Sequence, residues 1–198
     1  MAHRPGKAAI LRAAVEVMGA DGYEGSSTRD MAARAGVTVA ALYHHFPSKL
    51  DLLREFLDEA HEITIARLER RLAALDDPTP AARLDEAVAT LVATHLHDDF
   101  AQRASNVALR EYTRLAPPDR AAIDAKRALL LDRVTALVAP FGVAEPRETA
   151  RALVTLCSSL VEPFAAGELG SMADVIALYQ DLARRLVGAP PTSPGAPP

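Results

Sequence analysis

Cysteine is nearly absent from these 198 residues, with Cys157 standing alone. An intrachain disulfide is thereby excluded, and a reducing compartment is implied. Because Leu153, Val154, Leu160 and Val161 flank it, the thiol reads as a buried structural group and not as a nucleophile. Tryptophan is missing and aromatic residues make up only 5% of the chain. Period-two alternation of apolar and polar residues is also missing, which argues against a sheet. No apolar run approaches the ~20 residues that a bilayer span requires, and no charged-then-apolar leader opens the chain. The expectation is a soluble, cytoplasmic protein without membrane contact. Phosphate-cradling glycine loops, paired loop carboxylates and a nucleophile with an evident base are lacking too, so no catalytic set, cofactor or metal is implied.

What is present is alanine, leucine and charge. Hydrophobic residues account for 49% of the chain, with few β-branched runs, and the fold class expected is all-α. The formal charge of −4 conceals an asymmetry. Residues 1–50 hold six Lys/Arg (Arg4, Lys7, Arg12, Arg29, Arg34, Lys49) against four acids, a net of +2 that leaves −6 for the remainder. The positive part is the part suited to phosphates.

That part contains the most informative stretch, residues 26–49, SSTRDMAARAGVTVAALYHHFPSK. Ser27 is a good N-cap and Asp30 has capping-box spacing before Met31-Ala32-Ala33-Arg34, so a two-turn helix begins there. Gly36 breaks it, because glycine takes the left-handed conformation of a sharp turn without a Cβ penalty. Thr38 is placed to cap a second helix over 39–46. Its small tip (Val39, Ala40, Ala41) lets the backbone approach a groove, and its far end is Leu42-Tyr43-His44-His45-Phe46. Leu42 and Phe46 point the other way and belong to a core. The arrangement is a helix-turn-helix.

With Thr28-Arg29-Asp30, Ala35-Gly36-Val37, Leu42-Tyr43, Phe46 and Lys49 at fixed offsets, the stretch resembles the signature of the TetR family of one-component transcriptional regulators. The resemblance covers about a quarter of the chain. It departs from the family at Ala40, commonly Gly there, and at Ala41, often a hydroxyl residue. Apolar contact with a thymine methyl is the readout such a tip favours. The resemblance implies DNA contact by Thr28, Arg29, Thr38, Val39, Ala40, Tyr43, His44 and Lys49. Tyr43, His44, Lys49 and Thr28 would serve phosphates, and Arg29, Val39 and Ala40 base edges or the groove.

Along the chain, Ile10, Leu11, Ala14, Val15 and Met18 mark a supporting helix from Lys7 to Gly19, ended at Asp21-Gly22. Tyr23 is expected to pack against it. Ser48 caps a long helix with Leu50, Leu53, Phe56, Leu57, Ile63 and Leu68 on one face, running to about Leu75 and ~40 Å long. Asp76-Asp77-Pro78-Thr79-Pro80 breaks the chain. Further patterns follow over 82–100, 102–115 and 119–139, the last stopped by Pro140-Phe141-Gly142. Pro146 opens a helix toward Gly167 that Pro163 should kink. Ser171 caps the last one, to Val187. The total is about nine helices. The expected divisions are 1–47, a DNA-binding domain; 48–188, an effector-binding and dimerisation domain; and 189–198, a disordered tail by composition.

The last two helices are unusually apolar for surface helices. The resemblance implies that they join a homodimer, which independently supplies the ~34–36 Å spacing between major-groove faces of a palindromic double-stranded DNA operator. It further places a small hydrophobic or amphipathic effector among 82–100, 102–115 and 119–139, with Thr94, His95, Asn106, Arg110, Glu111 and Tyr112 as candidate orienting polar groups. His95 leads, since it continues the apolar line Leu84-Val88-Leu91. In His95-Leu96-His97-Asp98-Asp99 the two imidazoles project about 200° apart on a helix, which does not suit a shared metal. The function expected is a ligand-responsive regulator, a repressor released by its effector. An effector-blind helical adaptor, or an enzyme with its site in the body, is left open by composition alone.

Overall fold

Serine and threonine set where most helices begin. In the computed structural model, which describes residues 6–97, 100, 103–104, 107, 110–159 and 170–190, Ser27, Thr38 and Ser171 each accept the backbone N–H three residues on. Ser48 does the same for Asp51 at 3.1 Å. These bonds satisfy donors that the first helical turn leaves without partners. Ser171 and Asp174 complete a reciprocal capping box.

Eight α-helices result among the described residues: α1 (Lys7–Gly25), α2 (Thr28–Arg34), α3 (Val39–His45), α4 (Lys49–Ala73), α5 (Pro80–His97), α6 (Pro117–Val138), α7 (Pro146–Ser158) and α8 (Met172–Leu186). Short 3₁₀ turns occupy Tyr112–Arg114 and Ala139–Phe141, and there is no strand among the described residues. Between α5 and α6 the described residues Phe100, Arg103, Ala104, Val107, Arg110 and Glu111 are helical as well. The all-α expectation holds. None of the described helices is long and apolar enough to cross a membrane.

Two local expectations are modified. Gly22 bends α1 at φ +73 without ending it, and a further helical turn carries the chain to Gly25. A residue with a Cβ would be strained at that φ. The helix expected from Asp119 begins at Pro117 instead, because two prolines in a first helical turn forfeit no intrahelical N–H bond. The expected kink at Pro163 lies outside the described residues.

The chain packs as two compact units. One comprises residues up to Ile63 together with 99–126. Its core holds Ile10, Leu11, Ala14, Val15 and Met18 of α1, Met31 of α2, Leu42 of α3, Phe46, and Leu52, Leu53, Phe56 and Leu57 of α4, with Ala104, Val107, Leu115 and Ile123. The second comprises 64–98 and 127–198. There Leu68, Leu84, Val88, Leu91, Leu131, Val134, Leu153, Val175 and Ala183 form the core around Cys157. Burial pushes that thiol up to about 12, so it stays protonated and unreactive at neutral pH. A bidentate ion pair between Arg184 and Asp85, reinforced by Gln180 donating to the Asp85 carbonyl at 3.0 Å, ties α8 to α5. On its outer side α8 leaves Leu178 and Leu186 each 47% exposed.

Candidate nucleic-acid interface

Helices α2 and α3 are seven residues each. Helices so short are marginal in isolation and must be held by tertiary packing. Met31, Ala32 and Leu42 are buried in the first unit's core, as is Phe46 directly after α3. Fully burying a side chain of the size of Leu42 contributes ~2 kcal/mol. The turn between the helices depends on Gly36 at φ +68. With the inward residues so committed, the opposite side of the motif is set. Arg29, Thr38, Ala40, Tyr43 and His44 are exposed, while Thr28 is half-buried. Val39 is half-buried too and packs partly against the core.

The polar groups on that face are ordered by one another. Thr28 Oγ1 and Tyr43 Oη lie 3.2 Å apart, joining the first residue of α2 to the middle of α3. Tyr43 is 45% exposed and its ring is held by this one bond at its tip. His44 meets His45 edge-on, with ring centroids 5.6 Å apart. Lys49 donates to the Ser26 carbonyl at 2.6 Å and lies 4.5 Å from the centroid of the Tyr23 ring. An ammonium has three donors, so this bond fixes Lys49 beside the start of α2 and leaves N–H groups for an anion.

Two other cations of this region are committed elsewhere. Arg34 pairs with Glu16, and Lys7 with Glu55. Arg29, by contrast, pairs with no acid among the described residues. An exposed guanidinium left open to a ligand, two hydroxyls and an anchored ammonium make a surface suited to phosphate oxygens and base edges. Seven of the eight residues expected at a DNA face lie in α2, in α3 or at the cap between them, and the eighth, Lys49, is the first residue of α4; Thr28, Val39 and Lys49 are half-buried.

The six residues expected around an effector are placed less uniformly. Asn106 lies outside the described residues. Thr94 and His95 sit on α5 in the second unit, both buried. Thr94 Oγ1 accepts from Arg67 at 3.3 Å. His95 Nδ1 lies 2.8 Å from the Leu91 carbonyl. Burial lowers the His95 pKa, partly offset by that carbonyl, so the imidazole is held neutral. Arg110, Glu111 and Tyr112 belong to the first unit. Arg110 donates to the Gly19 carbonyl, Glu111 accepts from the Tyr23 N–H and from Arg114, and Tyr112 bonds Asp124. Burial would raise the Glu111 carboxyl, but the bonds from Arg114 and Tyr23 and the charges of Arg114 and Arg110 outweigh it and hold it below the usual glutamate range. A surface groove of about 350 Å³ in the second unit is lined by Glu69, Leu72, Ala73, Arg83 and Arg133, and none of the six takes part in it.

Sequence reading passed over one group at this interface. Tyr23, expected only to pack, carries Lys49 on its ring and also Arg114, 5.1 Å from the centroid. The available signal was its position between the Asp21-Gly22 break and the Ser27 cap, where a ring can reach two elements.

Comparison with known proteins places this geometry. Residues 10–56 match the model of bacterial regulatory proteins of the tetR family. The chain is 39% identical over 90 residues to the HTH-type transcriptional repressor KstR of Mycolicibacterium smegmatis, covering 46% of this chain and 43% of that protein. It is 36% identical over 93 residues to the HTH-type transcriptional regulator CymR of Pseudomonas putida, covering 46% and 44%. The matched stretch thus spans less than half the length of either curated relative. Among solved structures, a bacterial regulatory protein in the tetR family from Rhodococcus RHA1 superposes with a TM-score of 0.82 at 26% identity, covering 93% of this chain and 99% of that one. AibR, solved in complex with isovaleryl coenzyme A and operator DNA, shares the fold with a TM-score of 0.73 at 21% identity, covering 92% and 98%. Over residues 10–56 the chain is thus similar to the tetR family of bacterial regulatory proteins, and its described residues share their fold with a solved member of that family.

Proposed function

We propose that this protein is a cytoplasmic, ligand-responsive repressor that binds a palindromic operator as a homodimer and is released by a small hydrophobic or amphipathic effector. The observation that carries the reading is the exposed face of α2 and α3, where Arg29 pairs with no acid among the described residues and Thr28, Tyr43 and Lys49 are fixed in position. In this reading residues 1–47 are the DNA-binding domain, 48–188 bind the effector and dimerise, and 189–198 are a tail. Repression is supported by the relative KstR, a named repressor. A small-molecule response is supported by AibR, whose structure holds both a coenzyme A ester and operator DNA.

Dimerisation through α7 and α8 is supported by Leu178 and Leu186, each about half exposed on α8 and available to a partner's apolar surface. A twofold axis through that face would present two copies of α3 to successive major grooves. For the effector, the buried Thr94 and His95 on α5 offer a hydroxyl, already bonded to Arg67, and a neutral imidazole, the kind of polar groups that orient an amphipathic ligand. The effector and the operator favour different dimer shapes, so binding energy for one appears as lost affinity for the other. The long helix α4 is the proposed lever.

The experiment is selection of duplexes from a random-sequence pool by the full chain, with sedimentation of the protein alone and with DNA. The expected result is an inverted repeat bound by a dimer. Recovery of no preferred sequence, with binding insensitive to salt, would favour the protein-binding adaptor instead.

A further inference from the structure

Helix α1 is broken at one point, and the break is filled from another part of the chain. In an unbroken helix the Tyr23 N–H would donate to the Gly19 carbonyl, four residues back. Gly22, at φ +73 and ψ 173, turns that N–H away. It donates instead to Glu111 Oε1 at 3.2 Å, while the Gly19 carbonyl accepts from Arg110 Nη2 at 3.2 Å. Two adjacent side chains, one basic and one acidic, therefore take the acceptor and the donor that the kink separates. Of the two, Glu111 is buried and Arg110 exposed.

The plug reaches further than the break. Arg114 bonds both Glu111 and Glu24 and lies over the Tyr23 ring. The same ring carries Lys49, which donates to the Ser26 carbonyl, and Ser26 Oγ donates to the Tyr23 carbonyl at 2.8 Å. Residues 110–114 are thus connected, bond by bond, to the turn that caps α2 and to the first residue of α4. A helix break capped by its own neighbours would be indifferent to the rest of the protein. This one is completed only while 110–114 stay in place: their withdrawal leaves the part-buried Tyr23 N–H without its carboxylate acceptor and returns the Gly19 carbonyl to water.

Resting on the DNA-binding reading above, we propose that Arg110 and Glu111 are positioning residues for DNA recognition: they lock the kink at Gly22, and the pose of α2 and α3 follows the position of 110–114. An element that either holds these bonds or releases them has two discrete states, which is what a switch requires.

The test uses the full chain with Glu111→Ala, Glu111→Gln and Arg110→Met. Amide hydrogen exchange at Tyr23 reads the plug directly, and affinity for a duplex selected by the wild-type protein from a random pool reads its effect. Glu111→Ala is expected to speed exchange at Tyr23 about ten-fold and weaken the duplex about five-fold. Glu111→Gln keeps a side-chain carbonyl for the Tyr23 N–H but loses the bond from Arg114, so both readouts are expected to fall between the wild type and Glu111→Ala. Arg110→Met, at an exposed position, keeps the fold and weakens the duplex. Unchanged Tyr23 exchange in Glu111→Ala would overturn the plug. Faster exchange with unchanged affinity would reduce it to a structural cap and overturn the positioning role. Should Glu111→Ala fail to fold, unchanged affinity in Arg110→Met overturns the role by itself. If the wild-type protein selects no duplex, the DNA-binding reading and the positioning role fall together, and Tyr23 exchange still decides whether the plug exists.

Discussion

The hydroxyls of Thr28 and Tyr43 stand 3.2 Å apart, one at the start of α2 and the other on the exposed side of α3. The bond spans the turn of the helix-turn-helix and holds two hydroxyls in a single arrangement, with one O–H left to donate outward. Tyr43→Phe keeps the ring and removes the bond and one donor. It is expected to weaken binding to a selected duplex by about five- to ten-fold, equivalent to ~1–1.4 kcal/mol, the size of two modest hydrogen bonds, one per subunit of the proposed dimer. Melting temperature should barely change, since Tyr43 is exposed. Fluorescence anisotropy and a thermal melt check the two halves.

Arg184 and Asp85 join α8 to α5 with both side chains largely buried, 12% and 17% exposed. Removing one partner leaves the other charge without compensation. Arg184→Met is expected to lower stability to urea by about 2–3 kcal/mol, and the double change with Asp85→Leu to recover much of it. A double-mutant cycle measures the coupling. If the proposed dimer forms through α8, sedimentation of the single variant should show a weakened dimer as well.

His95 makes stability depend on pH. Burial lowers its pKa, so the unfolded chain takes up a proton near pH ~6.5 and the folded chain only at lower pH. The contribution is complete above about pH 6.5 and declines as pH falls through that value toward the lowered one. Urea denaturation across pH 5–8 should show the decline in the wild-type protein and a flatter profile in His95→Asn. Glu111 acts in a lower window. Its carboxyl lies below the usual glutamate range, so its contribution is complete above about pH 4.3 and is lost on further acidification.

Much of this architecture was legible because its causes are local. Ser27, Thr38, Ser48 and Ser171 announce helix starts through bonds to residues three positions on, and all four bonds are formed. Leu42 and Phe46 follow helical spacing onto the buried side, and the fully buried Cys157 lies where its apolar neighbours put it. Tyr43 and Thr38 are exposed because those inward residues leave them no other side.

What was not legible depends on partners far away in the chain. Glu111 reads in sequence as a polar group on an apolar face, a candidate for an effector. Its bond to Tyr23 spans 88 positions, and no periodicity encodes such a pair. Lys49 reads as a free phosphate ligand, whereas its ammonium is held between the Ser26 carbonyl and the Tyr23 ring. Gly22 reads as a stop but is a kink, because a glycine at positive φ can redirect a helix when the stranded groups are satisfied from elsewhere.

The measurement that bears most directly on α2 and α3 as the DNA-reading face is a salt titration of binding to a duplex selected by the wild-type protein, repeated with Tyr43→Ala and Lys49→Ala combined. Sedimentation and circular dichroism establish that the variant keeps its assembly and helix content. Steep salt dependence is expected for the wild type. For the variant, binding should be weaker and the slope smaller by about two per dimer, because each subunit's Lys49 ammonium no longer neutralises a phosphate and releases its counterion. Unchanged affinity and unchanged slope in the folded double variant would contradict the assignment.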